Sequence, residues 1–182
     1  MRKPTAQQGG PDGLCGLYAL LNFLRNHPRF RGDKDQDILR YLLESARHLN
    51  LLNPVNISHG FEAHQIRSIM ADICTEFDLK YKFEVLWPDT RSLNVQEFYQ
   101  KLADLTKCGG AAVVSVDAGE HWVLAHRVAR NVLICDDSAK SDGPAKIAIH
   151  KNGKPERRLD HNHAVLIRPL QPCGDLEKTG EL

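Results

Sequence analysis

The hydrophobic period changes partway along this chain, and that change limits what it can fold into. In "CGLYALLNFLRN", Leu17, Leu20, Leu21 and Leu24 fall at i, i+3, i+4 and i+7, a stripe along one helix face that ends near Pro28. "DKDQDILRYLLESARHLN" opens with acids and carries Ile38, Leu39, Leu42, Leu43 and Ala46 at helical spacing. "SHGFEAHQIRSIMADICTEFD" is expected to start from a Ser58 cap and to put Ile66, Ile69, Met70 and Ile73 on one face. After that the pattern alternates. "LKYKFEVLW" reads as a strand stopped by Pro88, and "NVQEFYQKLADLTK" as one more helix with Val95, Phe98, Leu102 and Leu105 inward. Five short runs follow, "GAAVVSV", "HWVLAHRV", "NVLICDD", "AKIAIH" and "HAVLIRP", divided by turn-rich stretches such as "DAGE", "ARN" and "KSDGP". Helices first and strands afterwards predict an α+β domain with an antiparallel sheet.

A chain of 182 residues suits one domain with a sizeable core, here expected over 1–170, with "QPCGDLEKTGEL" (171–182) as a flexible tail. Twenty-four Lys and Arg against 23 Asp and Glu leave a charge of +1, and no basic or acidic run points to nucleic acid or to an anionic membrane. No apolar run approaches the roughly 18 residues of a membrane span. The opening "MRKPTAQQGGPDG" lacks the apolar stretch of a secretory signal. Cys15, Cys74, Cys108, Cys135 and Cys173 are odd in number and scattered, which argues against a disulfide framework and a zinc knuckle and for a reducing compartment. A cytoplasmic location is the expectation, with delivery into another cell as an effector left open. No H-E-x-x-H or zinc-finger spacing occurs among the nine histidines, and no P-loop or dinucleotide fingerprint follows a strand, so neither metal nor cofactor is expected.

One cysteine stands where a loop becomes a helix. In "QQGGPDGLCGLYALLNFLRNH", Cys15 follows a Gly/Pro-rich run and opens the first apolar stripe. Backbone N–H groups at a helix N-terminus are unpaired and carry partial positive charge. A thiolate is stabilised there, and the same N–H groups can receive the oxyanion of a tetrahedral intermediate. The structural alternative is a buried cysteine filling a gap beside Gly16.

A thiol nucleophile needs a base, and the base needs an orienting group. In "GEHWVLAHRVARNVLICDDS", His121 opens one strand and Asp136 and Asp137 close the next. In an antiparallel hairpin the start of one strand lies beside the end of its partner, so His121 should neighbour the two aspartates. His126, an odd number of residues further on, should face the other side of the sheet. Trp122 should also face away from His121 and pack against a helix. Cys74, Cys108 and Cys135 lie in apolar contexts and are expected in the core, and His64 on the surface.

These residues resemble the papain-like cysteine peptidase superfamily. "QQGGPDGLCGLYAL" looks like the Gln…Asp-Cys-Gly-x-Tyr stretch of SUMO-specific and adenovirus-type proteases, and "HWVLA…DDS" is similar to their His-Trp…Asp-Ser stretch. The order Cys, His, Asp looks more like the peptidase domains of bacteriocin exporters, whose His-to-Asp spacing matches His121 to Asp137. "DGLC" also resembles the Asp-Gly-x-Cys of ovarian-tumour-type deubiquitinases. The resemblance covers residues 7 to 25 and 113 to 138. It implies a papain-like fold, with Cys15 as nucleophile, His121 as base and Asp137 rather than Asp136 as orienting group. It implies further that Gln8 completes the oxyanion hole, although Gln8 lies seven residues before Cys15 where the family pattern has about six. Gln7, or the backbone around Asp12 and Gly13, are the alternatives. "HNHAVLIRP" resembles the run that carries papain's own histidine, but no orienting Asn-Ser-Trp stretch follows His163.

The implied activity is that of a cysteine-dependent peptidase, isopeptidase or amidase acting on a protein or peptide through a thioester. Whether water or an amine resolves that thioester stays open, as do the substrate and the oligomeric state. The other class of function is a papain-like domain that has lost catalysis and binds a peptide or protein in its cleft.

Overall fold

The computed structural model describes residue 6 and residues 13–86, 95–117, 121–129, 132–139, 145–148 and 159–170. The expected tail, 171–182, lies outside them, as do Gln7, Gln8 and Asp12. The helices are α1 (Cys15–Leu24), α2 (Asp35–His48), α3 (Pro54–His59), α4 (Ala63–Glu76) and α5 (Val95–Lys107), with a 3-10 turn at Pro28–Phe30 after α1. The strands are β1 (Tyr81–Leu86), β2 (Ala111–Val116), β3 (His121–Ala129), β4 (Val132–Asp136), β5 (Ala145–Ala148) and β6 (Leu159–Pro169). The chain is therefore α+β, and every strand pairing among the described residues is antiparallel.

Local chemistry explains where the helices stop. Asn50 (φ 57°) follows α2, Asp78 (φ 53°) follows α4 and Gly109 (φ 73°) follows α5, residues that tolerate the left-handed region. In each case the next N–H reaches back five residues: Leu51 to the Ala46 carbonyl, Leu79 to Cys74 and Gly110 to Leu105, at 2.8 to 3.0 Å. The start of α4 departs from expectation. Ser58 does not cap it but sits inside the short α3, its hydroxyl donating to the Pro54 carbonyl at 2.6 Å. Glu62 caps α4 instead, in a reciprocal box with Gln65, whose Oε1 accepts from the Glu62 N–H at 2.9 Å. Gly60 (φ 89°) breaks the helical run between the two.

The sheet runs β1-β6-β2-β3-β4-β5, so the last strand in sequence is inserted between the first two. β2 lies near the centre and is buried along its whole length. Alternation sends Val113, Trp122, Leu124, Val165 and Ile167 to one face, where Leu17, Leu20, Leu21 and Leu24 of α1 pack with Ile38 and Leu42 of α2 and Ile66, Ile69 and Ile73 of α4. Ala112, Val114, Val123, Ala125, Leu166 and Cys135 go to the other, under Phe98, Leu102 and Leu105 of α5. The sheet is thus covered on both faces. Asn22, buried within α1, ties down the preceding chain: its Oδ1 accepts the Ala6 N–H at 2.7 Å and its Nδ2 donates to the Ala6 carbonyl at 3.3 Å.

No helix among the described residues is long and apolar enough to cross a membrane. Cys74 and Cys135 are buried as expected, and burial pushes the Cys74 thiol up to about 12. Cys108 is a correction: it is half-buried beyond the end of α5 and disulfide-bonded. Cys108 stands just past Lys107, the last residue of α5, and is half-buried rather than in the core. A disulfide is at odds with the reducing compartment expected from the scattered cysteines.

Candidate active site

Cys15 is the first residue of α1, where the N–H groups of a helix have no intrahelical acceptor. α1 packs against β3, and that packing brings its first turn to the start of the strand, where His121 stands. The His121 side chain is only 14% exposed. Its Nε2 lies 2.8 Å from Oδ1 of Asp137, which is completely buried. The same oxygen accepts the Ala139 N–H at 2.9 Å, so the carboxylate is fixed by its own turn. The His121 ring is also hydrogen-bonded to the Cys15 side chain.

Burial alone would push this imidazole toward its neutral form. The hydrogen bonds to Asp137 and Cys15, with the charge of each, outweigh burial and raise the ring from 6.5 to about 9. At neutral pH the site therefore holds an imidazolium between a carboxylate and a sulfur. Such a ring can deliver a proton to a leaving group and take one back, provided a nucleophile is at hand.

The register divides the two aspartates. Asp136 lies opposite Leu124, and the pairing shifts between Ala125 and Arg127, which makes His126 the extra residue of a bulge. The carboxylate of Asp136 turns to His126, with Oδ1 and Nε2 3.5 Å apart, and Asp137, one residue on, turns to His121. His126 lines a recess of about 280 Å³ with Phe23, His27, Tyr81 and Thr106, near the far end of α1 from Cys15. Each histidine of β3 thus has its own carboxylate.

His163 belongs to β6 and pairs with Asp160, three residues away, at 2.5 Å. Opposite β2 the register jumps from Val114↔Ala164 to Ser115↔Asp160, so this pair is local to a bulge. Trp122 is buried against the α1 side of the sheet, its Nε1 donating to the Phe61 carbonyl at 2.8 Å. His64 is exposed. The sequence brought Cys15, His121 and Asp137 forward as candidates, and these three are adjacent; Gln8 lies outside the described residues. What sequence reasoning missed is the turn before Cys15, where Gly13 is held by α3. The double glycine pattern of "DGLC" and "HGF" was the available signal.

No group of three or more His, Cys, Asp or Glu side chains suited to a metal ion occurs among the described residues. In comparison with known proteins, the chain matches no family model and no curated protein.

Proposed function

We propose that this chain is a cysteine-dependent hydrolase of papain-like architecture, cleaving an amide or isopeptide bond in a protein or peptide. The observation that carries the reading is one imidazole, His121, shared between the buried carboxylate of Asp137 at 2.8 Å and the thiol at the start of α1. The mixed architecture supports it too, with α1 packed on an antiparallel sheet whose strands supply both the base and its carboxylate.

The chemistry follows from the positions. The Cys15 sulfur attacks the carbonyl carbon, a C–S bond forms, and the carbonyl π electrons move to oxygen. Backbone N–H groups of the first turn of α1 stabilise that oxyanion, and Gln8 is the side chain proposed to join them. The tetrahedral species collapses, the C–N bond breaks, and His121 gives its proton to the leaving amine. Water then attacks the thioester and loses a proton to His121, releasing the acid and restoring the thiolate–imidazolium pair. Asp137 holds the ring and stabilises its charge throughout, as the carboxylate does in other triads.

The test is the pH dependence of iodoacetamide alkylation at each cysteine, read by peptide mass spectrometry on the native chain and on His121→Ala. Cys15 is as buried as Cys74, but its pairing with the His121 ring should make it react fast near neutral pH, while Cys74 and Cys135 react only after unfolding, and His121→Ala should remove the difference. A Cys15 that reacts no faster than it does in the denatured chain would overturn the proposal.

A further inference from the structure

Cys15 and His121 come from opposite halves of the chain, and apolar packing between α1 and β3 has little directionality with which to set their separation. Directional links occur close by. The Gly13 N–H donates to the Ile57 carbonyl at 2.7 Å. A methyl group on Gly13 would lie 2.5 Å from both the Asn56 oxygen and the Gly60 nitrogen, so the turn before Cys15 is seated directly on the backbone of residues 56–60. That backbone is itself anchored, for Asn56 donates through Nδ2 to the Leu51 carbonyl at 2.7 Å and through its N–H to Asn53 Oδ1 at 3.0 Å. The next residue along, Phe61, accepts the Trp122 indole N–H at 2.8 Å. Trp122 in turn lies against α1: a methyl group on Gly16 would be 3.6 Å from its Cδ1 and 3.0 Å from Cδ1 of Ile66.

We infer that segment 56–61 and Trp122 form a bracket that sets Cys15 against His121, with Trp122 as a positioning residue for the reaction proposed above. One end of the bracket grips the chain two residues before the nucleophile. The other grips the residue after the base, and the indole closes the loop by resting beside Gly16. A buried tryptophan needs an acceptor for its N–H wherever it lies. Here the acceptor lies in the segment that seats Gly13, which couples two distant parts of the chain through one hydrogen bond. Reacting groups displaced by about 1 Å can lose about a hundredfold in rate, so a fixed link at this point has a large effect on chemistry.

The inference rests on the catalytic reading of Cys15 and His121, and the experiment separates the two. The imidazole titration of His121 is followed by NMR, and iodoacetamide alkylation of Cys15 is timed at neutral pH, in the wild-type chain and in Trp122→Phe. Phenylalanine fills much of the apolar space but cannot donate to Phe61. The expected result is a folded variant, with Cys74 and Cys135 still protected, whose His121 midpoint falls toward 6.5 and whose Cys15 reacts about tenfold more slowly or worse. A merely structural tryptophan would lower the unfolding midpoint and move neither readout. If Trp122→Phe does not fold, a benzothienylalanine at position 122, which replaces only the N–H by sulfur, is measured in the same way and decides between the same outcomes. Wild-type behaviour of both readouts in a folded variant overturns the bracket alone. Ordinary His121 and Cys15 behaviour in the wild-type chain overturns the catalytic reading and the bracket with it.

Discussion

Replacing Cys15 by alanine should move the titration of His121, a residue on a different element, by an amount the geometry constrains. The ring titrates at about 9 against an ordinary 6.5, which corresponds to about 3 kcal/mol of preference for the imidazolium. Burial opposes that preference, so the whole upward push comes from Asp137 and Cys15, each acting by a hydrogen bond and by charge. With the side chain only 14% exposed, water screens these interactions weakly. Cys15→Ala deletes one of the two partners and leaves burial in place. The midpoint should therefore fall by about one pH unit or more, which is about 1.4 kcal/mol or more. The assay is a long-range ¹H–¹⁵N NMR titration of the imidazole nitrogens on both proteins, from about pH 5 to about pH 10, a range that brackets the ordinary histidine value and the raised one. In the variant the linkage to stability is that of the ring beside its carboxylate. Any midpoint still above 6.5 contributes stability that is fully present below 6.5 and is lost as pH rises through the measured value. A midpoint that stays within about half a unit of the wild-type value would show that the ring is not coupled to Cys15, and the thiol would then be no activated nucleophile.

Other expectations are more local. Asp137→Asn should lower the His121 midpoint and slow Cys15 alkylation, whereas Asp136→Asn should leave both near wild type; the reverse pattern would mean that the two carboxylates are assigned the wrong way round. Phe98 of α5 is fully buried against the sheet, and Phe98→Ala should cost about 3–5 kcal/mol in urea unfolding through lost burial and a residual cavity. A loss under about 1 kcal/mol would mean that the face under α5 is loosely packed. Asn22→Ala removes both hydrogen bonds to Ala6, and with them about 1–3 kcal/mol if the Ala6 groups stay buried. Hydrogen exchange at the Ala6 amide should accelerate accordingly, and unchanged protection there would count against Asn22 as its anchor.

Several elements were legible because their causes are short-ranged. The stripe Leu17, Leu20, Leu21 and Leu24 predicts α1 and its buried face, and all four side chains are buried. Alternation and turn residues predict the run of strands, of which β6 alone begins well before the expected segment, at Leu159. The start of α4 was misplaced because a Ser at 58 satisfies the capping pattern as well as Glu62 does, and only the left-handed Gly60 separates α3 from α4. The site was legible for a similar reason. A cysteine at a loop-to-helix seam is a local feature, and His121 and the paired aspartates belong to one hairpin, where antiparallel pairing brings strand start to strand end.

What the tertiary structure decided depends on register and on contacts distant in sequence. Hairpin pairing alone does not separate Asp136 from Asp137, and only the resemblance favoured Asp137. The opposition of Asp136 to Leu124 and the bulge at His126 send one carboxylate to each histidine, and an extra residue in a strand cannot be read from composition. The insertion of β6 between β1 and β2, and the placing of α5 on the opposite face from the other helices, follow from long-range pairing that no local pattern encodes. The same holds for the seat of Gly13 on α3 and for the bond from Trp122 to Phe61, which join segments that patterning treats as unrelated. The sequence alone determined which residues could carry the chemistry, because helix ends and hairpins are built from neighbours. Only the fold decided their distances, partners and proton affinities, because those arise where remote segments pack and exclude water.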